Sequence, residues 1–196
     1  KKKFKKSASI SQIHGILKAF KISKGEIICF MDGDDYFKSS KLKKIRNVFK
    51  KNKSFNSVFN LPVCNQSQFN LKLKKINNNI WPTIFPTSCI SVKRDFFKKF
   101  MRFLKKNEFE YLEIDARLTI FSKFYFNEYN ILKLKLTKYN FDYLGITSKM
   151  NIFSRKWWLR RNDAFKYLNY ILKKKNQKFN KSFDFFITFA LSFFLR

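Results

Sequence analysis

Residues Lys24–Phe37, KGEIICFMDGDDYF, decide the reading of this chain. Lys24-Gly25 is a turn pair, and an uninterrupted apolar run follows from Ile27 to Met31. A short run of this kind, rich in Ile and Phe and bounded by turn residues, predicts a strand buried on both faces, as in a parallel sheet. Asp32, Asp34 and Asp35 come directly after it, with only Gly33 between them. They stand where the strand leaves the sheet, and carboxyl ends of strands are where open α/β sheets bind ligands. Carboxylates packed this closely repel unless a cation lies between them. Hard divalent ions such as Mg²⁺ are commonly held by one or two carboxylates plus substrate phosphates. The competing reading is a solvated Asp/Gly turn, and spacing alone does not choose between the two.

Outward from this strand the pattern alternates. Upstream, Ser9–Lys21 sets Ile10, Ile13, Ile16, Leu17 and Phe20 at helical spacing behind capping serines. Its His14 is the sole histidine, and a lone helical histidine is more often structural than catalytic. Downstream, Ser39–Lys51 reads as an amphipathic helix turning Leu42, Ile45, Val48 and Phe49 to the sheet. Ser57–Val63 is a short strand, Asn65–Asn79 a polar loop or weak hairpin, and Pro82 and Pro86 bracket an aromatic bend. Thr87–Lys93 re-enters the sheet, Asp95–Leu104 is helical, and the alternation of Ile131–Thr137 makes another strand. Helix, strand, acidic loop, helix is the rhythm of a doubly wound α/β sheet.

A second acidic region, Glu108, Glu110, Glu113 and Asp115, precedes the apolar face of Leu118, Ile120 and Phe121. A carboxylate at the mouth of a helix is stabilised by the first-turn amides, and one facing a cleft can act as a general base. Further on, Asn140–Ile152 is a loop and 153–175 a helix directing Trp158, Phe165, Leu168 and Leu172 inward. Arg155, Trp157, Trp158, Arg160 and Arg161 form a basic aromatic cluster that could clamp a diphosphate or serve packing alone. Phe183–Leu195 is apolar nearly all round but too short to span a bilayer, which takes about 20 residues. It reads as a docking helix, as an interfacial anchor whose neighbouring lysines face anionic headgroups, or as part of a longer segment cut off at Arg196.

Composition bounds the partners. The 196 residues suit one domain, with no secretory leader in view, and Cys29, Cys64 and Cys89 are too scattered for a disulfide or ligand pattern, so a reducing compartment is expected. A net charge of +30 attracts nucleic acid, anionic lipid or nucleotide phosphates alike. The lysines are dispersed among abundant Phe, Asn and Ile, so part of this charge is compositional background. A nucleic-acid module accounts for the charge but not for an acidic triplet at a strand end, which repels phosphate unless a metal intervenes. A basic nucleic-acid- or membrane-surface-binding module without catalysis is the alternative to an enzyme, with nucleic acid the less expected partner.

With these residues placed, the order of parts resembles a family 2 glycosyltransferase of the GT-A fold. The stretch ISQIHGILKAFKISKGEIICFMDGDDYFKSSKLKKI is similar to that family's helix, Gly-Glu turn, buried strand, Asp-x-Asp and Leu-bearing helix. The resemblance assigns Asp32 and Asp34 to the Asp-x-Asp pair that binds the nucleotide sugar and its Mn²⁺ or Mg²⁺. Asp34 becomes the direct metal ligand and Asp35 the frequent third Asp. PTSCISVKRDFF resembles the strand before the acceptor-side helix, and LEIDARLTIF the later motif that carries the catalytic base. Asp115 is the better match for the base and Glu113 the reserve; family members often place Glu and Asp side by side, and here Ile114 separates them.

The resemblance covers roughly residues 8–165. The family's first strand and its nucleobase-binding Asp motif would lie upstream of His14, so the chain is expected to be the C-terminal part of an incomplete GT-A domain. An unpaired sheet edge would then leave it poorly stable or inactive. The expected arrangement is a mixed α/β sheet flanked by helices over 1–175, with an apolar, basic helical tail over 176–196. The expected reaction is inverting transfer from a nucleotide-sugar donor to a glycan or lipid-linked acceptor hydroxyl, in building cell-surface polysaccharide or lipopolysaccharide. Asp115 or Glu113 would take the proton, while a cation on Asp34 and Asp32, helped by Lys149, Arg155 or Arg160, neutralises the departing diphosphate. The expected setting is the cytoplasm, peripheral to the inner membrane face.

Overall fold

The computed structural model of the protein describes residues 7–63, 84–140 and 151–194. Helix α1 (Ala8–Ile22) starts where Ser7 accepts from the Ile10 amide, and it buries Ile13. Strand β1 (Ile27–Cys29) leads into the acidic turn, after which β2 (Tyr36–Phe37) and α2 (Lys41–Lys51) follow. Next come β3 (Ser57–Val63), β4 (Ile90–Lys93), α3 (Arg94–Phe103), α4 (Ile114–Ile120) and β5 (Ile131–Lys138). Helix α5 (Arg155–Lys174), capped by Ser154, and α6 (Phe183–Phe194) complete it.

The five strands form one mixed sheet in the order β1-β4-β3-β5-β2. β4 runs antiparallel to both β1 and β3, β3 is parallel to β5, and β2 is antiparallel to β5. The carboxyl ends of β1, β3 and β5 therefore point the same way. Helix α2 packs on one face through Ile45 and Phe49 against Val58 and Leu136. The larger core lies on the other face, where Phe96, Phe97 and Phe100 of α3 meet Ile13, Phe59, Phe121 and Phe165. Most of its ring pairs meet edge-on or tilted, as Phe96 and Phe121 do at 5.3 Å, while Phe121 and Tyr125 stack; aromatic quadrupoles favour T-shaped and offset-stacked pairs. The α/β class, the helices and most strands agree with the sequence patterns.

Three expectations change. Among the described residues β1 is neither buried on both faces nor flanked by parallel neighbours: it is half-buried and pairs with β4 alone, antiparallel, at one edge of the sheet. An apolar run is compatible with any strand that packs helices on both sides, so the run could not reveal its place in the order. Thr87–Cys89 forms a 3₁₀ turn before β4 rather than part of the strand. In α2 the fully buried residue is Lys41, while Leu42 stays 58 % exposed. The ammonium of Lys41 donates to the Ser88 carbonyl and, at 2.9 Å, to Thr137 Oγ1, and it lies 3.7 Å over the Phe37 ring. The readings of Cys64, Asn65–Asn79 and Pro82 lie outside the described residues, as does most of the loop after Asn140.

The segment between α3 and α4 has no regular structure, yet it is tightly held. Arg117 of α4 is completely buried and has five side-chain bonds to backbone carbonyls. Its Nε donates to Leu112 (2.9 Å), Nη1 to Leu104 (2.7 Å) and Lys105 (3.1 Å), and Nη2 to Glu108 (2.8 Å) and Phe109 (2.7 Å). Two of those residues, Lys105 and Phe109, have left-handed backbone at φ 49° and 57°, a conformation costing roughly 1–2 kcal/mol for a residue with Cβ. Their carbonyls turn inward to the guanidinium, which offsets that strain. Arg117→Met should strand these carbonyls and destabilise the fold by roughly 3 kcal/mol or more. Arg117→Lys, with three donors on one point, should recover only part of the loss in a denaturant titration.

Candidate active site

The acidic turn is where the chain leaves one edge of the sheet for the other. β1 ends, Asp32–Asp35 form a turn closed by the Asp35 amide donating to the Asp32 carbonyl (3.2 Å), and β2 then pairs on the far side of β5. The turn thus crosses the sheet end where β1, β3 and β5 finish. Ser88 Oγ fixes its start by accepting from the Asp32 amide at 2.8 Å. Ser88 in turn has its carbonyl held by Lys41 and by Thr137 Oγ1 (3.0 Å), and Asn60 Nδ2 donates to the same threonine oxygen at 3.0 Å. Burial pushes the Lys41 ammonium down to about 8, only partly countered by Cys89, Cys29 and Asp35.

The three aspartates have different surroundings. Asp34 is exposed, and its carbonyl accepts from Asn140 Nδ2 at 2.6 Å. Asp32 is half-buried and accepts from Gln12 Nε2 of α1 at 3.1 Å. Burial raises its carboxyl; Gln12 opposes the shift and Asp35 adds to it. Asp35 is buried, with Oδ1 on the Asn140 amide (2.9 Å) and Oδ2 without a partner. Burial raises Asp35 as well. Among the described residues no three His, Cys, Asp or Glu side chains gather to hold a metal unaided. The expected third carboxylate is drawn inward to β5 instead. Asp34 and Asp32, one exposed and one half-buried either side of Gly33, still suit a hard divalent ion that takes its other ligands from phosphate oxygens.

The second acidic region meets the first. Glu113 stands at the start of α4, buried, with Oε2 accepting from Arg160 Nε of α5 at 2.7 Å and Oε1 without a partner. Asp115, one residue into the helix, accepts from the Ala116 amide at 2.6 Å. Its carboxyl is pushed up to about 7, by burial first and then by the charge of Glu113, with Arg160 opposing and Asp32 adding. Asp32 adds to the shift at Asp115, so the two acidic regions lie within electrostatic reach of one another. Tyr139, just past β5, joins them: burial pushes its phenol up to about 12, and Asp35, Asp115, Asp34 and Asp32 each add to the shift.

Of the basic residues expected at a diphosphate, Arg160 is held by Glu113, Arg155 is exposed at the first residue of α5, and Lys149 lies outside the described residues. The ion pair lets Arg160 orient Glu113. Ser88, Gln12 and Tyr139 were not singled out by pattern. Only Tyr139 left a trace, as the residue that ends an alternating strand on the ligand-binding side. A groove of about 1000 Å³ beside β1, lined by Ile27, Cys29, Leu42, Phe49 and Arg94, is separate from this cluster.

A mixed sheet with helices on both faces, and carboxylates collected at the ends of its parallel strands, defines an α/β enzyme domain of GT-A-like architecture. Residues 11–194 match the family model described as glycosyl transferase family 2, and the chain belongs to that family. It is a glycosyltransferase, with a nucleotide sugar as donor and a second molecule as acceptor. No curated protein and no solved structure matches it.

A raised carboxyl holds its proton in the folded state after the unfolded chain has released it. Stability attributable to Asp115 is therefore full below the ordinary carboxyl value of 3.8 and falls as pH climbs toward about 7. Asp115→Asn should flatten this dependence, raising the melting temperature above the parent's at about pH 8 while changing little near pH 4. Asp32, Asp35 and Asp163, also raised, leave a residual slope of the same sign.

Proposed function

We propose that the protein transfers a sugar with inversion, from a nucleoside-diphosphate sugar to an acceptor hydroxyl, with Asp115 as general base. The observation that carries this reading is a carboxyl raised to about 7 next to the Asp32–Asp34 turn, with Glu113 already committed to Arg160. A base is most effective when its pKa lies near the working pH. Between the two candidates this favours Asp115, since Glu113 is ion-paired and buried.

The acceptor hydroxyl gives its proton to an Asp115 carboxylate oxygen as the acceptor oxygen bonds to the sugar's anomeric carbon. The bond from that carbon to the diphosphate breaks, and the diphosphate leaves with the electron pair. Attack opposite the leaving group inverts the anomeric centre. Asp34 and Asp32 would hold a Mn²⁺ or Mg²⁺ ion, which when bound would neutralise charge on the departing diphosphate. Gln12 and Ser88 keep the turn in place. Tyr139 remains protonated at neutral pH, within electrostatic reach of the carboxylates. Arg160, by holding Glu113, sets how much negative charge Asp115 experiences. The acceptor is a glycan or lipid-linked saccharide of a cell-surface polymer, reached from the cytoplasmic face of a membrane.

Asp34→Ala should abolish Mn²⁺-dependent binding of a nucleoside diphosphate in calorimetry while leaving the melting temperature near the parent's, because the side chain is exposed. Asp115→Asn should retain that binding and lower kcat by about 10²–10⁴-fold. The parent's kcat/KM should rise through about pH 7 as the base ionises. Full turnover by Asp115→Asn, with a comparable fall in Glu113→Gln, would transfer the role of base to Glu113.

A further inference from the structure

The outermost helix is inside out. α6 turns Asp184, Thr188 and Ser192 toward the protein, with Phe185 among them. Arg161 of α5 donates to both Asp184 oxygens at 2.5 Å and to Thr188 Oγ1 at 3.5 Å, and Phe185 meets Phe165 edge-on at 5.5 Å. The opposite face is apolar and open: Phe183 and Phe194 are each 81 % exposed, Phe193 is 65 %, and Phe186 and Phe189 are each 53 %. A helix on a water-facing surface carries its polar residues outward. A contiguous apolar face left on the surface marks an interaction site.

The neighbouring charge says what covers it. Lys173, Lys174, Lys178 and Lys181 are exposed and lead directly into α6. From Lys173 to Phe194 the sole acidic residue is Asp184, which Arg161 already holds. Aromatic side chains bordered by lysines match the interface of an anionic bilayer, where rings sit among acyl carbons and ammonium groups meet phosphates. A second copy would instead bring like-charged lysines together on a chain of net charge +30. No helix among the described residues is long and apolar enough to cross the hydrocarbon core.

We propose that α6 is the membrane-docking surface, lying in the plane of an anionic lipid interface with its Phe/Leu face inserted and the lysines of 173–181 on the headgroups. This deepens the membrane-side reading given above and rests on it for the nature of the acceptor. The linkage to the site is direct. Arg160 holds Glu113 and the next residue, Arg161, holds Asp184, so the docked helix is separated from the acidic pair by α5 alone. A lipid-linked acceptor in that leaflet would lie near the base.

The test is flotation with vesicles of phosphatidylcholine containing about one third phosphatidylglycerol, against phosphatidylcholine alone, at low and high salt. The variant Phe186→Ser/Phe189→Ser/Phe193→Ser keeps every charge of α6, the bonds of Arg161 to Asp184 and Thr188, and the contact of Phe185 with Phe165. The parent should partition onto the anionic vesicles with a salt-resistant component. The triple variant should lose that component by at least about tenfold, the equivalent of about 1.4 kcal/mol, with unchanged circular dichroism. Phe193→Ser alone, near the end of the helix, should give a smaller loss. Salt-resistant binding equal in parent and variant overturns the proposal. So does absence of parent binding, or a concentration-dependent dimer that the triple variant abolishes. Asp115→Asn should bind vesicles like the parent; a failure of sugar transfer with docking intact counts against the reaction and not against the surface.

Discussion

A buried guanidinium with no carboxylate of its own organises the active half of this protein. Arg117 takes its five bonds from the backbone of the segment before its own helix, and those bonds hold two residues in left-handed conformations. The segment then enters α4 along one path, which sets Glu113 at the helix mouth and Asp115 in its first turn. Hydrogen bonds from a charged donor are stronger than neutral ones, and inside a low-dielectric core the difference grows. Without this clamp the acidic pair would sit on an irregular loop. With it, the pair has the fixed geometry that a proton-transfer site requires.

The acidic turn is positioned by a different device. Lys41, Ser88, Thr137 and Asn60 form a small polar network beneath the sheet end, and the turn is anchored to it through the Asp32 amide. A buried ammonium costs desolvation, seen in its lowered pKa. The carbonyl, the hydroxyl and the Phe37 ring around it satisfy its donors. The network ties β5, β3, α2 and the 3₁₀ turn before β4 to one point, so the turn cannot move without disturbing the sheet.

Two neighbouring arginines divide the work at α5. Arg160 reaches toward the site and Arg161 toward the outer helix, a separation that follows from the 100° between successive residues of a helix. The pair explains how a surface helix and a buried carboxylate can belong to one rigid element. The same pair shows why composition was a poor guide to these residues: in a chain with 43 basic side chains, two more arginines carry no information until their partners are seen.

Pattern alone determined the α/β class, the helices and strands with clear periodicity, and the two acidic clusters, because apolar spacing and strand-end carboxylates are local features. It also carried the family, through motifs in a fixed order. It missed what depends on chain crossing. β1 proved to be an edge strand, since a run of Ile and Cys is the same whichever neighbour it pairs with. Lys41 displaced Leu42 from the interior because a polar network, invisible to hydropathy, was waiting there. The pairing of Arg160 with Glu113 was not visible in the sequence. Only the tertiary structure brought Asp32, Asp115 and Tyr139 together from three separate parts of the chain and shifted their proton affinities. Such shifts arise from burial and from charges distant in sequence, and neither exists until the chain has folded.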